Sequence, residues 1–443
     1  MTETGSSNGP LSFPPTALPD SPSSGSPEPA PAEAEPVGLP SVTGHQTSLD
    51  GIRALAALGV LLFHVAIETG AALRNGFTGG LLARGEVGVP IFFTLSGLLL
   101  YRPWAQSALS GGREPDTQTY LWKRLFRIMP AYWLVVVVAL LLWAEEHRTD
   151  AWTWTEMLLL LHNYDIDHWW FGLGPRGLGQ MWSLSVEVAF YLTLPIMAAL
   201  LRAYATRGGV TDVGRRARRL LVGLAAVGAL SYVYTIFEFH PEYRPWMNLW
   251  LPRSWTFFVP GMMLAVIAAW ARLEDGLPRR FCHAIASSTG TLWLVAALAY
   301  VIASTPVTGA RFVGIDGMWT GLFEQVLYTT VAFCLVAPAA LQPDRPNVVR
   351  SLLGNRVMSY LGRISYGVFL WQFIVLYLWY EFTGQQTWTG DLLLNFVPVA
   401  AITVLVAHLT YQYVEEPARR LIRYVNTPRP AEPKEERALE PAP

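Results

Sequence analysis

Long apolar blocks separated by short polar loops divide this sequence. Most blocks hold about 15 to 23 residues, which matches the roughly 30 Å hydrocarbon core of a bilayer at ~1.5 Å per helical residue. Only 15% of the residues are charged, whereas soluble proteins carry about 25%. The pattern therefore predicts an all-α, polytopic integral membrane protein. The blocks are residues 51–68, 87–101, 130–145, 155–162, 183–201, 220–237, 254–271, 291–304, 319–341, 364–382 and 392–414.

The distribution of arginine predicts the orientation of these blocks. Loops 102–129 and 202–219 are rich in arginine, as is the segment after the last block, so all three are expected in the cytoplasm. Two spans must then separate the two loops, although three blocks lie between them. Block 155–162 is too short to span. We therefore predict about ten spans, with both termini cytoplasmic in the cell membrane.

The short block is predicted to be a re-entrant or interfacial segment over 155–182, on the outer side. Irregular backbone is tolerated at membrane depth only where it is buried in protein or lines a water-filled cavity. This segment is therefore a candidate lid or acceptor cleft.

Three regions follow from composition. Residues 1–48 are polar and rich in Pro, Ser, Gly and Glu, without the apolar core of a signal peptide, so we expect a disordered cytoplasmic arm. Residues 49–424 form the membrane domain, and 425–443 a second disordered tail. The formal net charge of −1 gives no indication of nucleic-acid binding, and no histidines show the spacing of a metal site.

Ionisable residues within apolar blocks are functional candidates, because each costs several kcal/mol unless it is paired or hydrated. Arg53 and His64 are eleven residues apart in the first block, so they share nearly one helix face, about 16 Å apart along the axis. We place Arg53 at the inner interface and His64 near mid-membrane. A buried neutral imidazole is suited to general-base catalysis. The alternatives are an interfacial anchor for Arg53 and a packing hydrogen bond for His64.

Glu187 opens the block at 183, and Ser183 lies one turn before it on the same face. A carboxylate there needs a cation, an imidazole or several donors. We expect it to orient His64, as the third member of a catalytic triad does, or to serve a purely structural role.

Arg124 and Arg127 face together at i,i+3, just before Pro130. Paired guanidinium groups clamp phosphate, which favours a phosphorylated cytosolic donor, although snorkelling arginines are common at such positions. In another block, Ser96 and Gly97 permit close helix approach or a kink of the backbone.

Further site candidates lie beside these motifs or near the C-terminus. The candidates near the C-terminus, Arg363, Tyr366 and Glu415, also have a simpler interpretation as interface anchors. The further candidates together are Asp50, Trp182, Ser185, Arg363, Tyr366 and Glu415.

Together the motifs resemble membrane-bound acyltransferase family 3, the integral membrane acyl- and O-acetyltransferases. The resemblance runs from about residue 48 to 424. It rests on Arg53 with His64, FFTLSGLLL at 92–100, RLFRIMPAY at 124–132, WSLSVEVAFY at 182–191, LGRISYGVFLWQ at 361–372 and VEEPARRL at 414–421.

The resemblance implies transfer of an acyl group from acyl-coenzyme A, such as acetyl-coenzyme A, to a hydroxyl, often on a sugar. His64 would be the base or the acyl carrier, and Arg53, Arg124 and Arg127 would bind the donor. Two residues depart from the family pattern: Gln372 stands where many relatives have histidine, and Ala189 replaces a common glutamine.

The expected partners are membrane lipids, the acyl-coenzyme A co-substrate and a sugar-containing acceptor, with a homo-oligomer left open and no permanently bound cofactor. The rival function is a transporter or flippase for a lipid-linked or glycosylated solute, because buried His and Glu also serve proton relays. No paired broken spans of the transporter kind are visible in the sequence.

Overall fold

Helices make up the regular secondary structure of the described part of the chain. The computed structural model describes residues 40, 44–309, 317–342 and 348–425, all within one compact unit, Gly38–Pro443. The predicted disordered arm and tail lie outside the described residues, apart from their inner edges. The helices are α1 (Thr47–Glu68), α2 (Phe77–Ala83), α3 (Gly88–Ser110), α4 (Thr117–Trp143), α5 (Ala151–Leu158), α6 (Met181–Thr206), α7 (Val213–Phe239), α8 (Leu251–Leu273), α9 (Leu277–Ser287), α10 (Thr289–Ala303), α11 (Met318–Leu341), α12 (Val348–Leu353), α13 (Arg356–Thr383), α14 (Leu392–Thr410) and α15 (Glu416–Val425).

Nine helical segments among the described residues are long and apolar enough to cross a membrane, or ten if α9 and α10 form one span bent by 69°. This confirms the predicted multi-pass, all-helical class. The helix boundaries differ from the block boundaries. Block 130–145 was predicted to begin at Pro130, but α4 begins at Thr117 and continues through this proline.

Side-chain caps mark where several helices begin. Asp116, Asp212, Asn355 and Asp391 precede α4, α7, α13 and α14, and each side chain accepts a hydrogen bond from a backbone N–H in the first turn. These bonds satisfy donors that a helix start leaves unpaired. The short polar linkers thus specify helix starts that the apolar pattern alone does not.

Helices α3 and α8 approach closely because glycines face each other. A Cβ on Gly97 would lie 2.1 Å from the backbone oxygen of Phe258, and a Cβ on Gly261 would lie 1.8 Å from that of Thr94. The close approach predicted at Gly97 is therefore present. Small residues serve this purpose in membrane bundles generally.

The N-termini of α1, α4 and α13 and the C-termini of α3 and α6 lie at one end of the bundle. The first turn of α1 touches the second turn of α13, where a Cβ on Gly362 would meet the backbone oxygen of Asp50. Arg102 of α3 donates to Gln46 before α1, and Arg202 of α6 donates to Ser107 of α3. We call this end the basic end, because loops 102–129 and 202–219 lie here, and the opposite one the far end.

The segment between α4 and α6 folds at the far end. As predicted, its short block is not among the helices long enough to span a membrane. Leu160 has a positive φ of 59°, and its carbonyl accepts a hydrogen bond from Ser185 at 2.6 Å. Tyr132 donates to the carbonyl of Met157, and Asn163 donates to that of Trp182. Side chains of α4 and α6 thus help to satisfy the irregular backbone, as burial in protein requires.

Candidate functional site

A cavity of about 310 Å³ lies among α1, α3, α4, α6 and α13 and reaches the turn before α15. It brings together nine residues that the sequence singled out from separate motifs. They are Arg53, Ser96, Arg124, Arg127, Ser183, Glu187, Arg363, Tyr366 and Glu415.

The polar part of the cavity wall is dominated by arginine. Arg53 of α1 and the pair Arg124 and Arg127 of α4 line it, and Arg363 and Arg419 join them. The α4 pair points into one space because residues at i and i+3 share a helix face. Guanidinium groups converging from several helices suit an anion with several oxygens, such as a phosphate ester.

Glu187 lies within this arginine cluster. One of its carboxylate oxygens, Oε1, accepts hydrogen bonds from Ser96 Oγ and from Tyr191 Oη, each at 2.5 Å. Glu187 also interacts electrostatically with Arg53 and Arg124. Tyr191 was not predicted as a site residue, although it lies one helical turn after Glu187 in the same motif, and that spacing is the signal that identifies it.

His64 is held by a different helix from the one expected. Its Nδ1 lies 3.1 Å from Oε1 of Gln372 on α13, and its ring packs on Phe373 with centroids 4.2 Å apart. The structure shows no hydrogen bond between His64 and Glu187, both of which are described. The expected orientation of His64 by Glu187 is therefore not found, and Glu187 instead accepts hydrogen bonds from Ser96 and Tyr191.

The cavity ends one helical turn before His64. Its lining includes Val60 of α1 and Phe369 of α13, which precede His64 and Gln372 by four and three residues on the same helix faces. His64 also lies only four residues before the end of α1. Along α1 it thus lies nearer the far end of the bundle than the middle of the helix.

Aromatic side chains continue from His64 towards the far end. Phe373 stacks on Tyr377 with ring centroids 5.4 Å apart, and Tyr377 meets the edge of Trp143 at 6.0 Å. The guanidinium group of Arg176 lies over both Trp143 and Tyr377, 5.3 and 5.1 Å from the ring centroids. Arg176 belongs to the segment predicted as a lid or acceptor cleft and was not among the candidates. No spacing in the sequence relates it to α13.

Three other candidates lie outside the cavity. Asp50 contacts Arg53 at 3.4 Å and His45 at 2.7 Å, so it flanks the arginine cluster. Ser185 donates to the carbonyl of Leu160, and the backbone oxygen of Trp182 accepts from Asn163. The last two therefore support the segment at the far end.

Comparison with known proteins gives a consistent result. A family model described as "Acyltransferase domain" matches residues 46–412. The peptidoglycan O-acetyltransferase OatA of Listeria monocytogenes is 23% identical over 84% of this chain and 56% of its own length. Nodulation protein 10 of Rhizobium leguminosarum bv. viciae is 24% identical over 86% of this chain and 95% of its own.

This chain thus spans only about half the length of the OatA relative, and the same holds for YrhL of Bacillus subtilis, of which 54% is covered. No solved structure matches the chain. The match at 46–412 includes the cavity residues on α1, α3, α4, α6 and α13, together with His64 and Gln372. The chain therefore belongs to membrane-bound acyltransferase family 3.

Proposed function

We propose that this protein is an integral membrane O-acyltransferase. It moves an acetyl or other short acyl group from acyl-coenzyme A to a hydroxyl of a carbohydrate, a glycolipid or a glycosylated metabolite. The observation that carries the proposal is the arginine-lined cavity, which leads from the basic end to within one turn of His64. The family membership and the O-acetyltransferase name of a relative support the same reaction type.

The donor enters from the basic end in this proposal. Coenzyme A carries a phosphate and a pyrophosphate, and Arg53, Arg124 and Arg127 present the fixed donors that such groups prefer. The apolar wall beyond them, which includes Phe92 and Phe93, suits the pantetheine arm of coenzyme A, which ends in the thioester. Val60 and Phe369 must yield for the thioester to reach His64, since they close the cavity in this structure.

The acceptor reaches His64 from the other side. The imidazole removes the proton of the acceptor hydroxyl while the oxygen attacks the carbonyl carbon of the thioester. As the tetrahedral intermediate collapses, the C–S bond breaks, and the thiolate of coenzyme A takes up the proton from the imidazolium. The products are the acyl ester and free coenzyme A, so one base serves both proton transfers.

The test is thiol release by the purified protein in lipid nanodiscs, supplied with labelled acetyl-coenzyme A and candidate glycans. We expect His64→Ala to lower turnover by about 10²–10⁴-fold while expression and membrane insertion stay normal. His408→Ala is the matched control, because His408 lies in α14 and contacts Tyr360 rather than the cavity.

Retained turnover in His64→Ala would refute the assigned base. Flux of a glycosylated solute across vesicles without any thiol release would overturn the enzyme in favour of a carrier.

A further inference from the structure

We propose that Gln372 is a positioning residue that fixes the tautomer of His64, so that Nδ1 carries the hydrogen and Nε2 is the atom that accepts the acceptor's proton. The proposal rests on the function proposed above and adds the identity of the reactive nitrogen. It follows from two hydrogen bonds made by one side-chain amide.

The first bond determines which way the amide faces. Nε2 of Gln372 lies 3.1 Å from the backbone oxygen of Phe369. A carbonyl oxygen can only accept a hydrogen bond, so the group of Gln372 that faces it must be the NH₂. Reversing the amide would place two oxygens against each other in a buried site, since Gln372 is 1% exposed.

The second hydrogen bond determines which nitrogen of the imidazole carries the hydrogen. With the NH₂ group committed to Phe369, Oε1 faces Nδ1 of His64 at 3.1 Å. An amide oxygen has no hydrogen to give, so Nδ1 must donate. In the neutral ring this leaves the lone pair on Nε2, because one nitrogen is the donor and the other the acceptor.

The ring is also fixed in direction. Phe373 packs against it with centroids 4.2 Å apart and an interplanar angle of 36°, and Phe63 lies beside it at 5.0 Å. Gln372 thus gives His64 the fixed tautomer that a carboxylate supplies in a Ser-His-Asp triad, but without a negative charge.

A spectroscopic experiment tests the tautomer without relying on turnover. Protein labelled with ¹⁵N-histidine in nanodiscs gives distinct nitrogen shifts for the two neutral forms, and the signal of His64 is identified by its loss in His64→Gln. We expect the Nδ1–H form at neutral pH. The Nε2–H form, or a ring protonated on both nitrogens at the pH of the assay, would overturn the proposal.

A kinetic experiment tests the positioning role. We expect Gln372→Leu to lower kcat about tenfold. The KM for acetyl-coenzyme A should stay unchanged, because Gln372 does not line the cavity that binds the donor. Gln372→Glu should recover only part of the loss, because its carboxylate still offers an oxygen to Nδ1 but lacks the NH₂ that donates to Phe369.

The control is Gln325→Leu, because Gln325 is equally buried but bonds to Thr235 and Arg253 away from the cavity. Wild-type kcat in a folded Gln372→Leu would overturn the positioning role. If the wild-type protein transfers no acyl group, the proposed function fails, while the nitrogen shifts still decide the tautomer.

Discussion

Arginines outnumber carboxylates by five to two along the cavity wall. A charge held among membrane helices is costly unless a partner compensates it. Asp50 compensates part of Arg53 from outside the cavity, and Glu187 lies among the arginines while it accepts hydrogen bonds from Ser96 and Tyr191. The remaining positive charge favours a ligand with several negative charges, such as a coenzyme A thioester.

The arginines of α4 should therefore govern donor binding. We expect Arg124→Ala and Arg127→Ala each to raise the KM for acetyl-coenzyme A by about 10- to 100-fold, since a hydrogen bond to a charged group contributes about 1.5–3 kcal/mol. The measurement is the initial rate of thiol release against donor concentration. The KM should also rise with salt concentration, because ion pairing is screened.

Arg215→Ala is the control for that experiment. Arg215 lies in the first turn of α7 at the same end of the bundle, is exposed, and does not line the cavity. If Arg215→Ala raised the KM as much as the α4 variants, a diffuse surface charge would account for the effect. An unchanged KM in the α4 variants would make those arginines plain interface anchors.

The sequence predicts neighbours on one helix but not contacts between helices. Arg124 with Arg127, and Ser183 with Glu187, follow from the helical repeat, and both pairs line the cavity. The contact of His64 with Gln372 joins residues 308 positions apart and depends on the axial register of two parallel helices. No spacing in one sequence encodes that register, so the partner of His64 was assigned to the wrong helix.

At the scale of helices, the apolar blocks locate spans better than they locate helix ends. A block ends where side chains become polar, but backbone hydrogen bonding continues into the interface. This explains why α4 begins at Thr117, directly after its cap residue Asp116, rather than at Pro130. Arg124 and Arg127, two of the five arginines that line the cavity, lie in that extra length of α4, so helix beyond the apolar block carries part of the site.

The packing of α3 on α8 positions Ser96 next to Glu187, and its glycines are testable. Gly261→Ala should lower stability by about 1–3 kcal/mol, because its Cβ would overlap the backbone of Thr94 on the closely packed α3. The measurement is the thermal unfolding midpoint, followed by tryptophan fluorescence in detergent.

Gly290→Ala is the matched control, since a Cβ there would meet nothing within 4 Å. Its midpoint should stay within the error of the wild type or rise slightly. Equal losses in both variants would mean that glycine content, not close approach, sets the stability.

At the scale of the whole molecule, the two ends of the bundle have different chemistry. The basic end carries the arginine-rich loops and the mouth of the cavity, whereas the far end carries aromatic side chains around Arg176. The positive-inside rule places arginine-rich loops in the cytoplasm, where acyl-coenzyme A is made. A donor entering from the basic end and an acceptor arriving at the far end would then meet at His64 from opposite sides of the membrane.

This arrangement predicts the sidedness of two exposed positions. In a background with Cys282→Ala and Cys334→Ala, whose native thiols are buried, Ser110→Cys marks the basic end and Phe171→Cys the far end. A membrane-impermeant maleimide should label Phe171→Cys in intact spheroplasts and Ser110→Cys only in inverted vesicles, because the reagent reaches one face in each preparation. The reverse pattern would put the arginine cluster outside, away from any cytosolic thioester, and would exclude acyl-coenzyme A as the donor even if His64 proved essential.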